Sequence, residues 1–255
     1  MPNRLVLEIC VESVDHAVAA ERGGAHRIEL CTDLSSGGIT PSAALMQTAR
    51  RRVRIPIHVL IRPRAGNFCY SDLELEIMRN DVRAAKQLGM DGVVLGILQE
   101  NDRIDVERTK ALVELAHPLS VTFHRAFDAS HNLETSLEEV IQTGASRLLT
   151  SAGQPRATDG LQTLARLVQA ARERILIMPC GGINSDNVLH IIRTTSAREV
   201  HSSAGASNPN STGNGGGTSG GNDEAGSGLQ SVPFEQKVAQ LVSRLRDMSQ
   251  DEHVH

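Results

Sequence analysis

The sequence predicts a (β/α)₈ barrel, the TIM-barrel fold, over one domain spanning residues 1–255. Three observations support this. Short strand-like runs alternate with helical patterns eight times within a length suited to one barrel. Polar or reactive triplets follow those runs, as in Glu29-Leu30-Cys31 and His124-Arg125-Ala126. With four Phe, one Tyr and no Trp, the core must be Leu, Ile, Val and Ala, which suits a barrel interior. An open, doubly wound parallel sheet is the structural alternative.

Eight strands are predicted from short runs of β-branched residues and leucine bounded by Gly, Pro or polar residues. In chain order they are Leu5–Ile9, Arg27–Leu30, Ile57–Ile61, Gly92–Leu95, Val121–His124, Arg147–Thr150, Ile175–Met178 and Glu199–His201. Because helical patterns separate them, the strands are expected to pair in parallel.

The segments between the strands show helical spacing over roughly ten to eighteen residues. Ser13 and Ser71 are placed to cap the first and third helices, and the third extends to Leu88. Pro41 stands early in the second, where a missing N–H costs little. The other predicted helices lie near Asp105–Ala116, Asn132–Thr143, Gly160–Ala171, Asn187–Thr194 and Pro233–Met248.

A segment rich in Gly, Ser and Asn lies between the last strand and the last helix, at about 205–230. It has too little apolar surface to offset the entropy of ordering, which predicts a flexible loop. This loop would border the barrel mouth. It is either an inert insertion or a lid.

Composition and charge exclude several classes of protein. The net charge of −4 does not favour nucleic acid or an acidic membrane surface, and no apolar run approaches the ~20 residues of a membrane span. The four cysteines form neither a CxxC pair nor a dense framework, which predicts free thiols in the cytoplasm. Lys86, Lys110 and Lys237 all fall on predicted helices, which argues against a Schiff-base aldolase.

Alternation along the strands places a polar set inside the barrel near its mouth. Glu8, Glu29, Arg62, His124 and His201 should converge there, with Arg64, Arg125 and Asp128 just above. The candidate catalytic residues are Glu8, Glu29, Arg62, His124, Arg125 and Asp128. Two carboxylates in register on adjacent strands would be about 5 Å apart. A buried ion-pair network that only closes the barrel is the alternative.

The loops after strands seven and eight predict an anion site, because many barrels bind phosphate there with backbone amides. The candidate anion-binding residues are Arg64, Ser151, Gly181, Gly182, His201, Ser202 and Ser203. Gly pairs also occur in ordinary loops.

Cys10 and Cys31 end adjacent predicted strands, where two thiols could share a soft metal such as Cu(I). A disulfide would fit their spacing, although the expected compartment argues against it. Buried, inert cysteines are the third possibility.

Longer motifs resemble the CutC copper homeostasis family from about Leu5 to Ala204. They are LEIC at 7–10, GGA at 23–25, RIELC at 27–31, GGITPS at 37–42, IRPR at 61–64, TFHRAFD at 122–128, LTS at 149–151, MP at 178–179 with GI at 182–183, and HSSA at 201–204. The resemblance implies a TIM barrel, a cytoplasmic setting, homo-oligomers and a role in copper handling. Ala152 and Cys180 stand where the family usually has glycine, which could narrow the anion site.

Three functions remain open at this point. The first is a copper homeostasis protein with Cys10 and Cys31 as Cu(I) ligands. The second is an enzyme for a small anionic or phosphorylated metabolite, in which arginines bind the anion, Glu8 or Glu29 is the base and His124 the acid or electrophile. The third is a structural barrel with an inactive mouth.

Overall fold

The computed structural model describes residues 5–205 and 232–251, and it has the predicted barrel architecture. Eight strands, β1–β8, comprise Val6–Val11, Arg27–Leu30, Ile57–Leu60, Gly92–Leu95, Ser120–Phe123, Arg147–Thr150, Leu176–Pro179 and Glu199–Ser202. Eight helices, α1–α8, follow them in alternation and comprise Val14–Arg22, Ala43–Arg52, Asp72–Gln87, Val106–Ala116, Leu133–Gln142, Leu161–Ala171, Val188–Thr195 and Phe234–Asp251. The predicted loop at about 205–230 lies, apart from Gly205, outside the described residues.

Local sequence signals set where the helices begin. The Ser13 side chain caps α1, and Ser71 caps α3 through a capping box in which it exchanges hydrogen bonds with Glu74. Pro41, expected early in the second helix, lies just before it, because Ser42 caps α2 by accepting a hydrogen bond from the backbone N–H of Leu45.

The strands form one parallel sheet that curls into a nearly closed barrel. Its order is β7-β6-β5-β4-β3-β2-β1-β8, with β7 and β8 side by side at the seam. Adjacent strands are staggered, so that Glu8 lies opposite Arg27, and Cys10 opposite Glu29. Close approach of the Glu8 and Glu29 carboxylates would require the two residues to be in register. The stagger shows that they are not.

The main apolar core lies between the barrel and its helices. It includes Leu7, Ile9, Ile28, Leu30 and Phe123, all fully buried. Two smaller apolar clusters lie apart from that core. One contains Cys10, Cys31, Leu60 and Val94, and the other contains Leu149, Met178 and Cys180. The predicted alternation of side chains along each strand is confirmed. The residues of the two small clusters share the inner strand face with the polar set, and the main core lies on the other face.

A membrane-crossing helix was not expected. Within residues 5–205 and 232–251, none of the helices combines the length and the apolar character needed to cross a bilayer.

Candidate functional site

The strand ends surround a cavity of about 610 Å³ at the C-terminal mouth of the barrel. It is lined by most of the residues that the sequence singled out. They are Cys10, Glu29, Cys31, Arg62, His124, Arg125, Asp128, Gly181, Gly182, His201, Ser202 and Ser203. The other three lie elsewhere: Glu8 and Ser151 are buried in hydrogen-bond networks beside the cavity, and Arg64 is turned away from it.

Cys10 and Cys31 meet at one side of the cavity. Their Sγ atoms are 3.4 Å apart, both side chains are buried, and both thiols are free. This separation is well beyond a disulfide bond of ~2.05 Å. The hydrogen bond with Cys31, burial and the nearby Glu29 carboxylate all raise the pKa of the Cys10 thiol well above its usual value. The protonated thiol is therefore the favoured form of Cys10 at neutral pH.

Further donor atoms surround Cys10. One ligand atom each from Cys10, Glu29 and His201 all lie within 4.8 Å of one another. His201 Nε2 is 3.7 Å from Glu29 Oε2, and His201 Nδ1 is 2.8 Å from Glu8 Oε1. Burial lowers the pKa of His201, but the hydrogen bond to Glu8 and the charge of Glu29 outweigh it, so that the pKa is raised. Burial raises the pKa of Glu29.

Below the cavity lies a buried ion-pair network, the alternative considered above for Glu8, whose other members the sequence did not predict. Arg27 pairs with Glu8 through Nε and with Glu199 through Nη2, at 2.6 Å from Glu199 Oε2. Arg147 Nε also contacts Glu199 Oε2, at 2.8 Å, and His58 Nδ1 is 3.7 Å from Glu8 Oε2. Burial opposes ionisation of Glu8, but Arg27 and the His201 hydrogen bond lower its pKa below the usual range.

The predicted strands did contain a signal for this network. Arg27 alternates with Ile28 onto the face of Glu29, and Arg147 and Glu199 begin their strands as charged residues. Charged residues at the base of otherwise apolar strands need buried partners.

Arg125 and Asp128 satisfy each other near β6. Arg125 Nε donates to Asp128 Oδ2 at 2.8 Å, and its Nη2 donates to Ser151 Oγ at 2.7 Å. Asp128 also accepts hydrogen bonds from Ser151 Oγ at 3.0 Å and from the backbone N–H of Gly153 at 3.0 Å. The positive charge of Arg125 is therefore balanced within the protein.

Arg64 is occupied outside the cavity. Its Nε donates to Glu74 Oε1 at 2.5 Å, and its guanidinium lies over the ring of Tyr70 at 5.2 Å. The Arg64 charge is thus neutralised on the side of α3, at the residue that also forms the capping box.

Arg62 and His124 also line the cavity, and neither has a carboxylate partner among the described residues. Arg62 Nε and His124 Nε2 are buried without a hydrogen-bond partner among the described residues. His124 has room because Gly96, the residue after β4, has no side chain. A Cβ there would come within 2.6 Å of His124 Nδ1.

Ala152 and Cys180, the two positions where the resemblance leads us to expect glycine, behave differently. Ala152 adopts a left-handed backbone with φ of 58°, and Cys180 is absent from the positive-φ residues. The replacement at 152 is therefore strained but tolerated. Ser202 Oγ donates to the carbonyl of Ile183 at 2.6 Å and accepts from the N–H of Ala204 at 3.0 Å, so its hydroxyl is committed to the loop.

In a comparison with known proteins, the CutC family model matches residues 5–206 of this chain. The human protein named copper homeostasis protein cutC homolog is 48% identical over 202 residues, covering 79% of this chain and 74% of that protein. A CutC family protein from Chromobacterium violaceum is 45% identical over 199 residues, covering 78% and 81%.

Solved structures agree with these sequence matches. The putative copper homeostasis protein CutC from Streptococcus agalactiae superposes with a TM-score of 0.73 at 32% identity, covering 78% of this chain and 98% of that one. Thiamine phosphate pyrophosphorylase from Pyrococcus furiosus, at 18% identity and a TM-score of 0.60, covers 96% of this chain and 98% of its own. That likeness is one of fold alone.

Proposed function

Since this chain belongs to the CutC family, we propose that it acts in copper homeostasis by binding Cu(I) through Cys10 and Cys31. The observation that carries the proposal is the contact between two free, buried thiols on adjacent strands, 3.4 Å apart. Cu(I) is a soft ion that prefers thiolate ligands. Metal ligands that are held on rigid strands need little rearrangement to bind the same ion.

The environment of the thiols suits Cu(I) in a second respect. Leu60 and Val94 pack against Cys10 and Cys31, so one side of the pair is apolar and dry. Glu29 and His201 supply oxygen and nitrogen donors on the other side, which a harder divalent ion such as Zn²⁺ would need. If the thiols alone hold the ion, Cu(I) binding should not require Glu29 or His201 as a ligand.

The same thiols support a proposed cytoplasmic location. Two cysteines in contact would be oxidised in a compartment that favours disulfides, and oxidation would remove both ligands. We also propose that the protein forms a homo-oligomer and that residues 1–255 form a single domain. Copper is its proposed partner.

An anaerobic Cu(I) competition titration tests the proposal. The wild type should bind one Cu(I) tightly, and the Cys10→Ser/Cys31→Ser variant should lose that binding. Cys69→Ser is the matched control, because Cys69 lies outside the cavity and donates to the carbonyl of Gln99 at 3.2 Å. Cu(I) binding that survives in the double variant would refute the proposal.

Two further variants separate Cu(I) from a divalent ion. Neither Glu29→Gln nor His201→Asn should weaken Cu(I) binding, and both should lower any affinity for Zn²⁺; Glu29→Gln should strengthen Cu(I) binding, because the Glu29 charge raises the pKa of Cys10. Loss of Cu(I) binding in either variant would mean that the nitrogen or oxygen donors, and not the thiols alone, hold the metal.

A further inference from the structure

Two side chains that line the cavity carry buried hydrogen-bond donors without a partner among the described residues, and neither belongs to the thiol site. The donors are Arg62 Nε and His124 Nε2, on side chains that are each about 5% exposed. A buried polar group without a partner costs about 1–3 kcal/mol. Such a group therefore calls for an explanation, and a ligand that completes its hydrogen bonds is one.

The guanidinium of Arg62 is held by the protein backbone on one side only. Its Nη1 donates to the carbonyls of Ser36 and Gly38, at 3.2 and 2.9 Å, and its Nη2 donates to the carbonyl of Gly66 at 2.7 Å. Of the five N–H donors of arginine, those left over are on Nε and Nη2. The Tyr70 hydroxyl lies near Arg62, and within the described residues neither that hydroxyl nor Arg62 Nε has a partner in good hydrogen-bond geometry.

Donors on neighbouring guanidinium nitrogens form the fork that binds a carboxylate through two parallel hydrogen bonds. Because carbonyls, and no carboxylate, hold Arg62 within the described residues, its positive charge is not balanced. In this respect it differs from Arg125 and Arg64, which pair with Asp128 and Glu74. A buried, unbalanced cation favours an anionic ligand.

His124 supplies a neutral donor on the same wall. Its Nδ1 accepts a hydrogen bond from the backbone N–H of Ala126 at 3.2 Å, so the proton of the neutral ring is on Nε2. Burial, with the charge of Arg62, lowers the pKa of His124 to about 3. The ring is therefore an uncharged donor at neutral pH.

Phe68 brings the two donors to one place. Its ring centroid lies 4.9 Å from the Arg62 guanidinium carbon and 5.1 Å from the centroid of the His124 ring. Arg62 and His124 thus both contact Phe68, and all three residues line the cavity.

We infer that Arg62 and His124 form a binding site for a small carboxylate, in which the Arg62 fork holds one carboxylate and His124 Nε2–H donates to an oxygen of the same ligand. This site goes beyond copper binding. The Glu29 side chain faces the same cavity, so the bound carboxylate must be small enough to leave the space beside Glu29 unfilled. Of the three arginines predicted at the mouth, the site uses Arg62 in place of Arg64 and Arg125, which have carboxylate partners.

The test is a titration of the protein with malonate and, in parallel, with inorganic phosphate. Binding is measured by calorimetry and by the change in the ¹⁵N–¹H signal of Arg62 Nε. That signal is assigned by its loss in Arg62→Lys. Malonate should shift it, and malonate affinity should fall about tenfold or more in Arg62→Lys, which keeps the charge and loses the fork. His124→Phe, which removes the second donor, should weaken malonate binding as well.

Two controls separate this site from its neighbours. Arg64→Gln removes an arginine outside the cavity, and Cys10→Ser/Cys31→Ser removes the thiols, and both should bind malonate as the wild type does. Malonate binding that is unchanged in Arg62→Lys would overturn the inference. So would phosphate binding in preference to malonate, or no shift of the Arg62 signal at millimolar malonate.

Discussion

His58 should make the stability of the fold depend on pH in a window that can be calculated. The side chain is 3% exposed and lies against Gly92, where a Cβ would come within 2.5 Å of the ring. Burial lowers the pKa of His58 from 6.5 to about 4, although Glu8 opposes this at 3.7 Å. The cations of Arg27 and Arg147 add to the lowering.

The sign follows from the direction of that shift. Because the folded protein binds the proton less well than the unfolded chain, stability is full above the unfolded pKa of 6.5 and falls as the pH drops toward 4. For this pair of pKa values, the free energy of unfolding falls by roughly 2 kcal/mol between pH 8 and pH 5 and by roughly 3 kcal/mol at pH 4.

The perturbation is His58→Gln, and the assay is urea denaturation at several values between pH 8 and pH 5. The variant should lose about 2 kcal/mol less than the wild type over this range, whatever its stability at pH 8. His190→Gln replaces an exposed histidine on α7 and controls for the loss of an imidazole as such. Parallel pH profiles for the wild type and His58→Gln would refute the reasoning. A ring ¹⁵N titration of His58 gives the same answer if the variant does not fold.

Three other variants test different parts of the fold. Glu8→Gln breaks a buried ion pair and should cost roughly 3–5 kcal/mol by urea denaturation. Gly96→Ala places a Cβ 2.6 Å from His124 Nδ1, and this overpacking should cost roughly 1–3 kcal/mol in the same assay. Leu73 and Ile77 are 74% and 49% exposed, one turn apart on α3, so replacing both with Glu should dissociate the expected homo-oligomer, as measured by light scattering.

Each of these has a clear contrary outcome. Glu138→Gln breaks the surface pair with Arg174, at 2.7 Å, and a loss as small as in that control would show that Glu8 is not part of a buried network. Gly96→Ala with unchanged stability would mean that the His124 ring moves aside without cost. An assembly of unchanged mass in the α3 variant would place the interface elsewhere, and a monomeric wild type would make the homo-oligomer prediction wrong.

The elements of the barrel were predictable because their signals are local. Arg27–Leu30, Gly92–Leu95 and Arg147–Thr150 have the predicted bounds, since a polar residue or a glycine lies within two positions of each end. Alternation within a strand also placed Cys10, Glu29 and His124 on the inner face. These inferences need only the spacing of residues along one strand.

Contacts between strands depend on register, which single-strand patterns do not determine. The stagger places Glu8 beside Arg27 and leaves Cys10 opposite Glu29, so that Cys31 reaches Cys10 diagonally. The same stagger builds the ion-pair network, whose members are far apart in the sequence. Charged residues at strand positions indicate which side chains could belong to the network, but they do not show which residues pair with each other.

Side chains beyond the strand ends depend on the loops that receive them. Arg62 and Arg64 are two residues apart and looked equivalent in the sequence, yet one is held by loop carbonyls and the other by Glu74. The backbone can orient a guanidinium but cannot neutralise it, whereas a carboxylate does both. Arg62 therefore keeps a charge available to a ligand and Arg64 does not. This difference, more than the number of basic residues at the mouth, decides where an anion can bind in this barrel.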